Sequence, residues 1–269
     1  CRSSLSCNHG TKFSYRILFK IILNFLSLYK RQLIFFFKKK INIDSDISSK
    51  NLSLEKLFIK YGSDKGKIWA KKNNGHGYTK FYLKHLKKLR FKKLNILEIG
   101  SYAGGSAAAF SKFFPNSKIT CLDVNISTFK YASKKINVFG LDATKKKSVE
   151  FFFKKMNISF DKEYFDLIID DGSHKQDDIL LVLNLFFKSL RSNGFYIIED
   201  YRLMNFFKHL RVPMEPKIEK LIEYIKKKKN FNSSILKLEF QKELFKKVKL
   251  IKSYKGLTKY SNIVFLKKS

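Results

Sequence analysis

The chain has 269 residues, 44% of them hydrophobic. That suits one large α/β domain with an appendage and excludes a chain disordered along its whole length. It carries 56 Lys+Arg against 22 Asp+Glu, a formal net charge of +34. The lysines are scattered (Lys38 to Lys40, Lys71-Lys72, Lys145 to Lys147, Lys226 to Lys229) rather than massed with arginine on one face. This fits a biased composition better than a dedicated nucleic-acid surface. An anionic membrane partner stays open. Three cysteines, Cys1, Cys7 and Cys121, form no CxxC pair and no even framework. This argues against disulfide scaffolding and a cysteine zinc site, and a reducing, cytoplasmic setting fits.

The chain begins at Cys1 rather than Met, as a trimmed or misassigned start would. Residues 13–42 are apolar and basic. Arg16, Lys20, Asn24, Ser27 and Arg31 recur every three or four residues, one narrow polar stripe on a helix. Such a helix suits a membrane interface, peripheral to the inner face of the membrane, and equally suits packing on the main domain or on a partner subunit of a homo-oligomer. Arg16, Lys20, Lys30 and Arg31 interrupt the run too often for a spanning helix. A signal peptide calls for a cleaner apolar core and a small-residue cleavage site. Residues 43–53 are polar and serine-rich and read as a linker, which makes 1–53 an N-terminal extension and 54–269 the main domain.

Leu54 to Tyr61 follows a helical pattern, and Phe81 to Leu89 another. Between them lie the loops Tyr61-Gly62-Ser63-Asp64-Lys65-Gly66 and Gly75-His76-Gly77-Tyr78. From residue 94 the pattern alternates. Strands are expected at Leu94 to Ile99, Lys118 to Asp123, Ile136 to Leu141, Phe165 to Asp170 and Phe195 to Ile198. Helices are expected at Ala107 to Phe114 and Ile179 to Leu190, the second ended by Ser192-Asn193-Gly194. The tail reads as a helix near Lys217 to Lys228 and two closing strands, Val248 to Ser253 and Asn262 to Leu266. This order predicts an α/β fold: a Rossmann-like seven-stranded sheet with helices on both faces and an N-terminal helical extension. Within the main domain, 54–93 forms a lid, 94–200 the cofactor-binding core and 201–269 the closing part.

In open α/β sheets ligands bind beyond the carboxyl ends of the strands. After the first strand comes the turn Gly100-Ser101-Tyr102-Ala103-Gly104-Gly105-Ser106, preceded by Glu98. A nicotinamide fold wants a middle glycine for close approach to a pyrophosphate, and Tyr102 occupies that position. S-adenosyl-L-methionine has no phosphate and needs only a tight turn with close backbone approach. Glu98, Gly100, Ser101, Gly104, Gly105 and Ser106 are therefore candidate cofactor residues. Asp123 ends the second strand, where a carboxylate can accept ribose hydroxyls. Asp142 follows the third, where an acid can meet the adenine amino group. Either acid could instead cap a turn.

Asp170-Asp171-Gly172-Ser173-His174 and Glu199-Asp200 follow the fourth and fifth strands. Neighbouring strands lie about 4.8 Å apart, so these acids converge, with Asp170 on the cofactor side. Four carboxylates together repel unless a cation binds them. A hard divalent ion, Mg²⁺ most simply, resolves the conflict. His174 lies three residues beyond Asp171 as a candidate general base. The Asp64-Lys65 loop and Tyr78 are expected to close over the cofactor.

The segment from about Tyr61 to Arg202 resembles the metal-dependent sugar O-methyltransferases of the macrocin and mycinamicin type. The shared motifs are Tyr61-Gly62-Ser63-Asp64-Lys65-Gly66, His76-Gly77-Tyr78, Leu97-Glu98-Ile99-Gly100, Ile169-Asp170-Asp171-Gly172-Ser173-His174 and Ile198-Glu199-Asp200. The resemblance implies Mg²⁺ held by Asp171, Glu199 and Asp200, with His174 as base. It further implies a hydroxyl of a sugar or glycan-like acceptor as the methylated group. The first forty or so residues and the tail after Arg202 fall outside it. Rival readings are a nicotinamide-dependent oxidoreductase, against which Tyr102 argues, and a non-enzymatic, basic, membrane-associated binding protein. RNA methylation is weaker still, since no RNA-binding module and no Asn-Pro-Pro-Tyr tetrapeptide is present.

Overall fold

The computed structural model describes residues 26–70 and 74–269. Residues 13–25, with Arg16, Lys20 and Asn24 of the expected polar stripe, lie outside them. The chain continues as helix α1 over residues 26–37. Strand β1 (Ile41–Asn42) pairs in parallel with β4 (Tyr131–Ala132) and ties this segment to the domain. The stretch read as a linker is packed. Ile43 and Ser49 are buried, Lys60 Nζ donates to Asp46 Oδ1 (2.9 Å) and the Tyr61 hydroxyl to Asp46 Oδ2 (2.8 Å). Helix α2 (Leu54–Tyr61) starts at Ser53, whose Oγ accepts from the Lys56 N–H, and stops at Gly62 in the left-handed region. Helix α3 (Thr79–Leu86) follows.

The main sheet has seven strands: β2 (Asn95–Ile99), β3 (Lys118–Asp123), β5 (Ile136–Gly140), β6 (Phe165–Asp170), β7 (Leu190–Glu199), β8 (Val248–Lys255) and β9 (Asn262–Lys268). Their spatial order is β5-β3-β2-β6-β7-β9-β8. The first five run parallel, and β9 lies antiparallel between β7 and β8. Helices α4 (Gly105–Phe113), α5 (Lys146–Lys155), α6 (Gln176–Phe186), α7 (Ile218–Lys227) and α8 (Leu238–Lys247) complete the fold.

Successive residues of a strand point to opposite faces, so a sheet covered on both sides needs apolar residues at both parities. Strands β2 and β6 meet that need. Leu97, Ile99 and Ile168 pack with α5, α6, α7 and α8 on one face. Ile96, Leu167 and Ile169 pack with α2, α3 and α4 on the other. The expected α/β fold, with its helical N-terminal part, is the one observed. The sequence reading missed α5 and α8. It also began β7 too late: Ser192-Asn193-Gly194, read as a helix stop, lies inside the strand. There Asn193 adopts φ +65° and the register against β6 shifts near Phe165. Among the described residues no helix is long and apolar enough to cross a membrane.

Candidate functional site

The site lies beyond the carboxyl ends of β2, β3, β5, β6 and β7. The register pairs Ile99 with Asp170 and Asp170 with Ile198, so three adjacent strands deliver their next residues to one place. The turn after β2 is dictated by glycine. Gly100 sits at φ +84°, and a Cβ there would lie 2.0 Å from the Asp171 carbonyl oxygen. Gly104 sits at φ +78° with the Phe129 ring 2.5 Å from where its Cβ would be. Only glycine takes this backbone without strain at so close an approach. The Asp171 amide donates to the Ile99 carbonyl (2.9 Å) and holds the β6 end against the turn.

A cleft of about 560 Å³ opens there, a size that suits a nucleoside-sized ligand. Its walls include Gly100, Tyr102, Asp123, Asp142 and Asp170. Asp123 accepts from the backbone N–H of Tyr102 and of Asn125 (both 2.7 Å), which fixes the carboxylate at the rim. Asp142 Oδ1 accepts from the Thr144 N–H (2.9 Å) and hydroxyl (2.6 Å). Both acids therefore stabilise turns and also line the cleft. Asp170 Oδ1 accepts at 3.4 Å from the Gly172 N–H, while Oδ2 is buried without a partner among the described residues. Burial pushes this carboxyl up to about 8. A lone buried acceptor on a cleft wall fits a ligand that brings a donor.

A second pocket of about 200 Å³ shares Gly100, Tyr102 and Asp171 with the first. The loop Gly62 to Trp69 covers it, and Ser101, Gly105, Ser106 and His174 line it. Glu98, expected at the cofactor, lines neither pocket. It lies beneath the turn, fully buried, with no hydrogen-bond partner for either carboxylate oxygen among the described residues, only the Lys65 ammonium 4.0 Å from Oε1. Burial raises it to about 7.

At the far end one ligand atom each of Asp171, His174 and Asp200 come within 4.8 Å of one another. His174 Nε2 stands 3.8 Å from Asp171 Oδ1. His174 and Asp200 adopt φ +57° and +49°. Each left-handed residue costs about 1–2 kcal/mol, a strain that concentrates at functional sites. The oxygen donors of Asp171 and Asp200 fit a divalent cation, with the His174 imidazole close beside them. Glu199 is engaged elsewhere: its carboxylate accepts from Lys65 Nζ (2.7 Å) and from the Tyr82 hydroxyl.

Lys65 is the residue that sequence reasoning missed. The repulsion among the acids does require a cation, but the chain supplies one. Lys65 Nζ lies 2.5 Å from Asp171 Oδ2, 2.7 Å from Glu199 Oε2 and 4.0 Å from Glu98 Oε1, with its side chain 1% exposed. Burial alone would lower its ammonium, but the carboxylates of Asp171, Glu199 and Glu98 outweigh this and raise it.

Tyr78 also departs from expectation. It does not cover the cofactor cleft but is wholly buried beneath Asp200, donating to Oδ1 at 2.5 Å. Its ring stacks on His76 (centroids 5.2 Å apart). His76 Nδ1 lies 2.7 Å from Ser261 Oγ and 3.6 Å from Asp200 Oδ1, and Nε2 lies 3.4 Å from Asp64 Oδ2. Burial would lower this imidazole, but Asp64 and Asp200 push it up to about 9. Residues 62–70 and 74–78 are thus held onto the strand ends, the first through Lys65 and the second through His76. The motif residues gave no local signal for these roles.

Residues 97–201 match the family described as a methyltransferase domain. The L-olivosyl-oleandolide 3-O-methyltransferase of Streptomyces antibioticus is 30% identical over 154 residues, 55% of this chain and 36% of that one. The 8-demethyl-8-(2-methoxy-alpha-L-rhamnosyl)-tetracenomycin-C 3'-O-methyltransferase of Streptomyces olivaceus is 29% identical over 55% of this chain and 36% of its own. The matched region thus spans about a third of these relatives' length. A solved structure, the MycE methyltransferase from the mycinamycin biosynthetic pathway in complex with Mg, SAH and mycinamycin VI, superposes with TM-score 0.59. It is 20% identical and covers 82% of this chain and 55% of that one. The chain shares the fold of that methyltransferase, and residues 97–201 are similar to a methyltransferase domain.

Proposed function

We propose that this chain is an S-adenosylmethionine-dependent O-methyltransferase that acts with a divalent metal, Mg²⁺ most simply, on a sugar hydroxyl. One observation carries the reading. The cleft that the Asp170 carboxyl lines shares Gly100, Tyr102 and Asp171 with the pocket lined by Asp171 and His174. The match to a methyltransferase domain and the O-methylations that the relatives are named for support the same assignment.

Gly100, Ser101, Gly104, Gly105 and Ser106 bring backbone and small side chains to the methionine end of the donor. Asp123, Asp142 and Asp170 offer acceptors to its ribose, adenine and other donor groups. Asp171 and Asp200 would hold the metal, with Glu199, bound by Lys65, beside them. When bound, the donor supplies an electrophilic sulfonium methyl, and the metal supplies positive charge that lowers an acceptor hydroxyl's pKa. His174 would take the proton of the acceptor hydroxyl on Nε2. Buried Tyr78 and half-buried His76 hold Asp200 in place, and Lys65 holds Asp171, so alignment is built in before the acceptor arrives. Turnover is tested on a panel of glycosides with radiolabelled donor. Replacing His174 by Ala is expected to abolish turnover and leave donor binding intact. Turnover that survives the change removes His174 as base, and labelled glycoside that forms equally in EDTA removes the metal.

A further inference from the structure

Helix α1 has two unlike faces. The inner face is clamped to the domain near the cleft mouth. Arg31 Nη1 donates to the Val124 carbonyl (3.1 Å), Gln32 Nε2 to that of Gly140 (3.0 Å) and Lys38 Nζ to that of Ser127 (3.0 Å). Phe35 meets the Phe129 ring edge-on, with centroids 6.3 Å apart. These contacts fix the helix's rotation, so its other face is committed outward. That face carries Leu26, Tyr29, Leu33, Phe36 and Phe37, spaced as one helical stripe. Phe36 is 76% exposed and Phe37 78%. Apolar side chains gathered in this way mark a binding surface, because scattered single ones are what an ordinary surface shows.

Charge selects the partner. From Leu26 to Ile43 the sequence has Lys30, Arg31, Lys38, Lys39 and Lys40 and no acidic residue. The preceding residues add Arg2, Lys12, Arg16 and Lys20, again with no acid. Exposed Lys30 and Lys39 flank the aromatic stripe. A second copy of this chain would bring the same positive charge to the contact and repel. A surface that is apolar below and negative above accepts both features together.

We propose that the outward face of α1 docks in the plane of an anionic lipid bilayer, with Tyr29, Phe36 and Phe37 in the interface and the lysines at the headgroups. The helix lies on the membrane and does not cross it, and it brings the mouth of the cofactor cleft, marked by Val124, beside the bilayer. This inference does not depend on the methyltransferase reading.

The test is co-sedimentation of the full chain with vesicles of phosphatidylcholine alone and of phosphatidylcholine mixed with phosphatidylglycerol. The expected result is binding about tenfold tighter to the anionic vesicles, weakened by salt. The double change Phe36→Ser and Phe37→Ser, which leaves the charge unaltered, should lower that binding by about tenfold while the thermal midpoint holds. Three results overturn the proposal. They are no binding to anionic vesicles, binding undiminished by the double change (charge acting alone), and a dimer in light scattering that the double change dissociates.

Discussion

Replacing Lys65 by Met removes the ammonium and keeps most of the apolar stem. Asp171 and Glu199 then lose hydrogen bonds of 2.5 and 2.7 Å, and Glu98 loses a charge 4.0 Å away. Breaking a buried ion pair by removing one partner costs about 3–5 kcal/mol, because the surviving charges stay desolvated. For a chain of this size that corresponds to a fall of about 6–20 °C in the thermal midpoint. Protonation limits the loss, since Glu98 already titrates at about 7. The low end of the range is therefore expected at neutral pH and the high end in mild alkali. A second consequence separates this account from a generic core defect. Without Lys65 the cluster is a stronger cation site, so Mg²⁺ should raise the variant's midpoint by more than it raises the wild type's. Differential scanning fluorimetry across a Mg²⁺ series reads both effects. A loss under about 1 kcal/mol, or an equal Mg²⁺ response in both proteins, would refute the role given to Lys65.

Three further outcomes follow from the same geometry. Gly100→Ala places a methyl 2.0 Å from the Asp171 carbonyl at φ +84°. It should cost at least about 1–2 kcal/mol and abolish donor binding in calorimetry. Asp170→Asn removes a carboxyl whose pKa is raised from 3.8 to about 8. A raised folded pKa means stability that is full below the unfolded value and lost as pH climbs through the folded one. The wild type without ligand should thus lose stability between pH 3.8 and about 8, and Asp170→Asn should flatten that slope in pH-dependent melts while weakening donor binding. Glu215 is lowered from 4.5, burial being outweighed by hydrogen bonds from Ser233 and Ser234. Its contribution should be present above pH 4.5 and fade below it, and Glu215→Gln should remove that acid sensitivity from urea titrations.

The strands were legible because each is a short apolar run with a hard stop. Phe165 to Asp170 ends in acids, Lys118 to Asp123 in one acid, and Asn95 to Ile99 in glycine. The same stops made the cleft legible, since a charged residue after a buried strand points beyond the sheet. Helices α5 and α8 were hidden by lysine. Lys146, Lys147, Lys154 and Lys155 surround Val149, Phe152 and Phe153, whose spacing marks the buried face. The start of β7 was hidden by a turn signal, Ser192-Asn193-Gly194, inside a strand whose pairing partner is distant in sequence.

Lys65 and Tyr78 were illegible for one shared reason. Their partners lie 106 to 134 residues away, so no local spacing records the contact. The need for a cation among the acids was legible, but its origin within the chain was not. Glu98 shows the converse. Its place in the glycine motif suggested a ligand contact, whereas the sheet buries it one layer beneath the turn.

The most direct test of the whole account is titration calorimetry of the full chain with S-adenosylmethionine, in the presence and absence of Mg²⁺, with NAD as the control. The account predicts one site for S-adenosylmethionine, with affinity of about micromolar to millimolar order, weakened in Asp170→Asn, and no heat from NAD. Heat from NAD with none from S-adenosylmethionine would contradict it.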